Sequence, residues 1–268
     1  MNLNRSSYYY KPIEKSYLQK KQETDIRDRI EHIVCEYPGY GYRRVTKQLE
    51  REGYHINHKR VLRIMRENSL LHAVTRSYKR TTNSQHSYPR YPNLIKDLDV
   101  ERLNQVWVAD ITYIRIQTSF VYLAVILDSY SRKVIGYSLS HRLDTELASS
   151  ALKMAIDKRK PEVGCIHHSD QGVQYASHRY VKDLKDNGFK ISMSSKGNLY
   201  KNTKAESFFK TLKYEEVYLW NYNTFNDVIQ RIPYFIQEVY NKKRLHSSIG
   251  YVPPEEFEEE ILVVKEQE

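Results

Sequence analysis

Cysteine is nearly missing from this chain of 268 residues: only Cys35 and Cys165 occur, far apart and with no Cys-x-x-Cys pair or neighbouring histidine at ligand spacing. That excludes a disulfide framework and a structural zinc site, and both thiols are expected to be ordinary buried side chains. Long apolar runs are lacking too. The longest, Phe120 to Leu127, is too short to span a bilayer, and Met1-Asn2-Leu3-Asn4-Arg5-Ser6-Ser7-Tyr8 has no apolar signal region, so a cytoplasmic protein without a membrane partner is expected. No His-x-x-Arg spacing occurs anywhere, which argues against a tyrosine recombinase despite 24 tyrosines.

What is present is basic charge, and it is not evenly spread. The formal charge is +10, yet residues 1–100 hold twenty Lys and Arg against eleven Asp and Glu, while the remainder is almost balanced. A localised excess of this kind attracts a polyanion, either nucleic acid or an acidic membrane surface. With 40% apolar residues the chain can bury a sizeable core, and its length is that of two globular parts.

Periodicity divides the chain. Residues 1–24 are polar and Tyr/Lys-rich and read as an arm, extended or briefly helical. From 25 to 72 the pattern predicts three short helices: Ile26, Ile30, Ile33 and Val34 share one face, Pro38-Gly39 ends the run, Val45 and Leu49 begin a second helix, and Gly53 stops it. Val61, Leu62, Ile64 and Met65 give the third, studded with Lys59, Arg60, Arg63 and Arg66. This fits a helix-turn-helix whose last helix enters the major groove, and equally a small bundle with a solvated basic face. Residues 73–104, with Pro89 and Pro92, read as a linker.

Beyond it the period changes to that of strands. Val106 to Ile116, Phe120 to Leu127 and Lys133 to Ser140 form a meander; Asp144 caps a helix running to about Lys160; Cys165 to Ser169 and Lys190 to Ser194 are two further strands separated by a helix, Ser177 to Asn187. A loop at Gly197-Asn198 leads to helices over Lys204 to Leu219 and Thr224 to about Lys243, the latter kinked at Pro233. The fold class expected is α/β, a mixed five-stranded sheet with flanking helices over 105–222, preceded by a small all-helical domain and followed by a C-terminal helix and tail over 223–268.

Three acidic residues stand out by position. Asp110 lies mid-strand among residues that want burial, where a salt bridge or an edge position is the ordinary explanation. Asp170 follows the fourth strand, at the end where α/β sites collect, and meets Asp110 if strands one and four are neighbours. Glu206 falls in the first turn of a helix, a place the helix dipole alone would favour. Together they supply what phosphodiester chemistry needs: hard oxygen ligands for two divalent ions about 3.5–4 Å apart. Magnesium prefers such ligands.

The surrounding residues carry a resemblance. Trp107-x-x-Asp110-Ile111-Thr112-Tyr113, His168-Ser169-Asp170-x-Gly172-x-Gln174-Tyr175 and Ala205-Glu206-Ser207-Phe208-Phe209, with thirty-five residues between Asp170 and Glu206, resemble the insertion-sequence transposases of the OrfB type, related in their core to retroviral integrases. The resemblance covers nearly the whole chain. It implies an RNase H-like core and a DNA transposase that cleaves transposon ends and transfers strands into target DNA. Asp110, Asp170 and Glu206 would be its catalytic and metal-binding residues, holding two Mg2+ or Mn2+ ions. Lys213, seven residues after Glu206 and on the same helical face, would touch a DNA phosphate or else be a solvated lysine.

Pro38-Gly39-Tyr40-Gly41-Tyr42-Arg43-Arg44-Val45 and Asn57-x-Lys59-Arg60-Val61 through Arg66 are similar to the helix-turn-helix that precedes such cores, which marks Arg43, Arg44, Lys59, Arg60, Arg63 and Arg66 as DNA contacts. Tyr240-Asn241-x-x-Arg244-x-His246-Ser247-Ser248-x-Gly250-Tyr251-x-x-Pro254 resembles the family's terminal signature; Arg244 and His246 would bind DNA or cap the last helix. The implied partners are double-stranded DNA (terminal inverted repeats and target), further copies of the chain on paired ends, and a fusion segment from an upstream reading frame. One departure is Lys201-Asn202, where the family usually has Asp-Asn, and it leaves the activity of this copy open. The rival reading is a non-catalytic DNA-binding regulator with a degenerate core.

Overall fold

The computed structural model describes residues 16–71, 88–194 and 203–265. Residues 1–15 of the expected arm, 73–87 of the expected linker, the Gly197-Asn198 loop and the Lys201-Asn202 pair lie outside the described residues. The chain divides into two compact units, Met1–Ala73 and Val74–Glu268. No helix of the described residues is long and apolar enough to cross a membrane.

The first unit is three helices: α1 (Tyr17–Glu36), α2 (Tyr42–Arg51) and α3 (His58–Glu67). Helix α1 begins well before Asp25, because the stretch ahead of that residue shows no apolar period yet holds the good helix formers Lys21, Gln22 and Glu23. Ile30, Ile33, Tyr40, Val45, Leu49, Val61, Ile64 and Met65 close a small core, with Tyr37 stacked on Tyr40 at 4.7 Å. Asn57 caps α3 by accepting from the Lys59 N–H at 2.8 Å, and Gly53, at φ +87°, ends α2 in the left-handed region that glycine tolerates best. Cys35 is exposed, contrary to expectation, because it falls on the side of α1 away from Ile30 and Ile33.

The second unit is built on a sheet of β1 (Val106–Arg115), β2 (Phe120–Asp128), β3 (Val134–Ser140), β4 (Ile166–Ser169) and β5 (Lys190–Met193), in the order β3-β2-β1-β4-β5. The central strand β1 runs antiparallel to β2 and parallel to β4. Helices α4 (Thr145–Arg159), α5 (Val173–Ala176) and α6 (His178–Asp186) follow in chain order around β4. Helix α7 (Thr203–Leu212) continues into a π turn, Lys213–Val217, and α8 (Phe225–Tyr234) into another, Phe235–Tyr240. Pro233 therefore does not end its helix. It has no N–H to give, and the turns that follow it are widened to π spacing. Helix α9 (Pro254–Lys265) occupies what the sequence suggested was tail.

Alternation along β1 splits the core in two. Val106, Val108 and Ile114 pack with Ala205, Phe208 and Leu212 of α7 and with Val228 and Ile232 of α8. Trp107 and Ala109 point the other way, to Leu147, Ala151 and Ala155 of α4 and Tyr180 of α6. On that second face Gly136 of β3 lets α4 approach so closely that a Cβ there would lie 2.3 Å from the Ala151 carbonyl oxygen.

The terminal signature is absorbed into this packing. The Asn241 side chain accepts from the Val134 N–H at 3.0 Å and donates to the Val134 carbonyl at 2.9 Å, covering backbone groups of the edge strand β3. Glu258 of α9 is buried, pairing with Arg159, with Lys133 at 3.2 Å and with the Ser131 hydroxyl at 2.6 Å.

Candidate active site

Asp110 shares the parity of Val106 and Val108, so its side chain leaves β1 on the face that α7 covers. Strand β4 pairs with β1 in the register Val106↔Ile166 to Val108↔His168, and the same register continued by two residues sets Asp170 level with Asp110. The condition for the two aspartates to meet is thus fulfilled by the sheet order. The Ile111 N–H donates to Asp110 Oδ1 at 2.8 Å, and the Gly172 N–H to Asp170 Oδ1 at 2.9 Å. A Cβ on Gly172 would lie 2.9 Å from that same oxygen, which keeps the turn after β4 free of a side chain.

Glu206 lies on the first turn of α7, exposed, next to the buried Ala205 that seats the helix on β1. Lys204 fixes the start of the helix, its ammonium donating to the Ser129 carbonyl at 2.9 Å; burial holds its pKa down to about 8. Burial and the like charge of Asp170 push the Asp110 carboxyl up to about 8, with Glu206 acting in the same direction and the Ile111 N–H and Lys213 opposing. Lys213 is lowered by burial and raised by Asp110. Charges from Asp170, Glu206 and Lys213 thus all reach Asp110. Among the described residues, however, no group of three or more His, Cys, Asp or Glu side chains is gathered closely enough to hold a metal ion.

Tyr175 is a residue whose role sequence reasoning missed, although it stood in the motif. Its ring is buried, its hydroxyl has no hydrogen-bond partner among the described residues, and its pKa is raised well above the ordinary value by burial, by Tyr180 and by Asp110 and Asp170. The neighbouring histidines are structural. His167 Nε2 meets the Tyr180 hydroxyl at 2.9 Å and His168 Nδ1 the Ser192 hydroxyl at 2.8 Å, and burial lowers their pKa values to about 3 and about 4.

In the first unit Lys59, Arg60, Arg63 and Arg66 are exposed on α3 while Val61, Ile64 and Met65 point inward. Arg63 donates to Glu23 at 2.9 Å. Arg43 is exposed and lies over the Tyr42 ring at 5.6 Å, and Arg44 is half-buried over Tyr40 at 5.7 Å. Arg244 is placed differently from these. It is buried, and its guanidinium grips Glu215 through two bonds of 2.6 and 2.8 Å, so it belongs to the packing of the protein and not to its surface.

Comparison with known proteins agrees in both units. The family described as "Integrase core domain" matches residues 100–199 and, through a second such family, 187–254; an "HTH-like domain" matches residues 21–78. The chain is 38% identical over 243 residues to the transposase for insertion sequence element IS904 of Lactococcus lactis, covering 90% of this chain and 96% of that protein. It is 36% identical over 262 residues to the insertion element IS600 uncharacterized 31 kDa protein of Shigella sonnei, covering 96% and 95%. Among solved structures, a simian T-cell lymphotropic virus intasome matches with a TM-score of 0.46 at 17% identity, covering 84% of this chain and 72% of that one.

Proposed function

The chain belongs to the insertion-sequence transposases with an integrase core, and from that premise we propose that Asp110, Asp170 and Glu206 are the groups with which it cuts the ends of a mobile DNA segment and joins them to a target. The observation that carries the reading is the parallel pairing of β1 with β4, whose register sets Asp170 level with Asp110, with the like charges of Asp170 and Glu206 acting on Asp110. Like charges that act on one another are costly, and a divalent cation relieves that cost.

The donor set fits Mg2+ or Mn2+, two ions in all, because it consists of hard carboxylate oxygens. When bound, the ions would activate the attacking water or 3′-hydroxyl and stabilise the leaving oxygen. The chain's own part is to hold ligands and DNA. Asp110 is fixed by the central strand and Asp170 by the turn after β4, whereas Glu206 is exposed and has to close toward them for all three to share the ions. Lys213 would meet a phosphate beside them. No covalent protein–DNA bond is needed, since the attacking oxygen displaces the leaving oxygen directly.

Arg43, Arg44, Lys59, Arg60, Arg63 and Arg66 of the helical unit are proposed to hold double-stranded DNA, the terminal repeats being recognised there. Work on two DNA ends implies more than one copy of the chain. With magnesium and a labelled duplex of the inverted repeat flanking the gene, the protein is expected to nick or join DNA. Asp110→Asn, Asp170→Asn and Glu206→Gln should each abolish this and leave binding intact. Unaltered cleavage by any one of them would remove that residue from the site, and binding without cleavage by the unsubstituted chain would favour a DNA-binding regulator.

A further inference from the structure

An aromatic cluster gathers around Lys213 and takes no part in the chemistry just described. Tyr113 leaves β1 three residues after Asp110, and its ring meets Phe120 of β2 edge-on at 5.3 Å. The Lys213 ammonium lies 4.9 Å from the centroid of the same ring. From the end of α7, Tyr214 meets Tyr218 edge-on at 5.5 Å, and the Tyr218 phenol feels both Tyr214 and Tyr113. Phe120 and Tyr218 remain 41% and 54% exposed, so their rings are open to solvent.

The π turn is what assembles this group. In an α-helix residues 213 and 218 would point about 140° apart. Here the Tyr218 N–H donates to the Lys213 carbonyl at 2.8 Å, five residues back, so the turn is widened and the two side chains fall on one side. Such turns inside helices are frequent at functional sites. The result is a cation beside the carboxylates with open ring faces next to it, a pairing that suits a nucleic-acid strand: phosphate to the ammonium, bases to the rings.

Resting on the transposase reading, we infer that Tyr113, Phe120 and Tyr218 form a stacking platform for unpaired bases of the DNA strand beside the scissile phosphate. The platform would hold the end of the duplex opened and so set which terminal nucleotides are accepted.

The test uses the full chain with calcium in place of magnesium and two probes: the inverted-repeat duplex fully paired, and the same duplex with three mismatched terminal pairs carrying 2-aminopurine in the unpaired strand. The unsubstituted chain should bind the frayed duplex more tightly and quench the 2-aminopurine fluorescence. Tyr218→Ser should weaken frayed-end binding between about five-fold and about a hundred-fold, the range for loss of one stacked base, and restore the fluorescence. Tyr218→Phe should behave as the unsubstituted chain, and all should bind the paired duplex alike. Equal binding of both probes, or a Tyr218→Ser chain that still quenches, overturns the platform while leaving the transposase reading standing. Failure to bind either probe overturns both.

Discussion

Replacing Gly136 by alanine tests whether α4 is seated on the sheet as closely as described. The added methyl would lie 2.3 Å from the Ala151 carbonyl oxygen, 2.8 Å from the Ala155 Cβ and 2.9 Å from the Ala155 nitrogen. The first distance is about 1 Å short of the separation at which carbon and oxygen settle. Two of the three obstacles are backbone atoms, so no side chain can rotate away and the helix itself has to lift off β3. Close-packed interiors resist such shifts, and overpacking costs about 1–3 kcal/mol, occasionally more. With backbone against backbone the upper end is expected, about 3 kcal/mol. For a unit of this size that lowers the melting temperature by roughly 6–12 °C. Thermal unfolding followed by circular dichroism is the assay. Adding Ala155→Gly should recover little, since the carbonyl remains. A melting temperature within about 2 °C of the unsubstituted chain, or full recovery in the double variant, would refute the reasoning.

Three other expectations follow from buried polar groups and surface charge. His167 has its pKa lowered to about 3 by burial, so between that value and about 6.5 the unfolded chain binds the proton and the folded one does not. Its contribution is fully present above that window and is lost as pH falls through it, amounting to about 2 kcal/mol by pH 5. Urea midpoints at pH 8 and pH 5 should therefore differ less in His167→Asn than in the unsubstituted chain. Arg244→Ala should cost about 3 kcal/mol by leaving the largely covered Glu215 carboxylate without its guanidinium. Its DNA-binding salt dependence should stay unchanged, whereas a reduced slope would return Arg244 to the DNA contacts. Lys213→Ala should weaken DNA binding and reduce the salt slope by roughly one phosphate; an unchanged slope would remove that contact.

The strands were legible because both faces of β1 and β2 are buried, which leaves short runs rich in branched and aromatic residues such as Phe120–Leu127. The candidate carboxylates were legible because the motifs around them and the spacing of Asp170 and Glu206 could be read together. The seat of Arg244 was not legible, since its partner Glu215 lies on the π turn after α7, far away in sequence, and nothing local marks an inward-facing arginine. The π turns escaped notice for a related reason. Residue types do not distinguish hydrogen bonds to the fourth residue back from bonds to the fifth, and tertiary packing decides between them. Cys35 shows the same limit on a smaller scale, because a thiol suits burial and yet here follows the solvent side of α1.

Strand β1 is flanked by β2 over Trp107–Arg115 and by β4 at Val106–Val108, so the start of the strand cannot peel away while the rest stays folded. Amide protons over Val106–Val108 should then exchange with solvent only through global opening, among the slowest in the molecule. The Asp110 carboxylate follows closely on this doubly paired segment, so its backbone is held from the side of the strand that yields least.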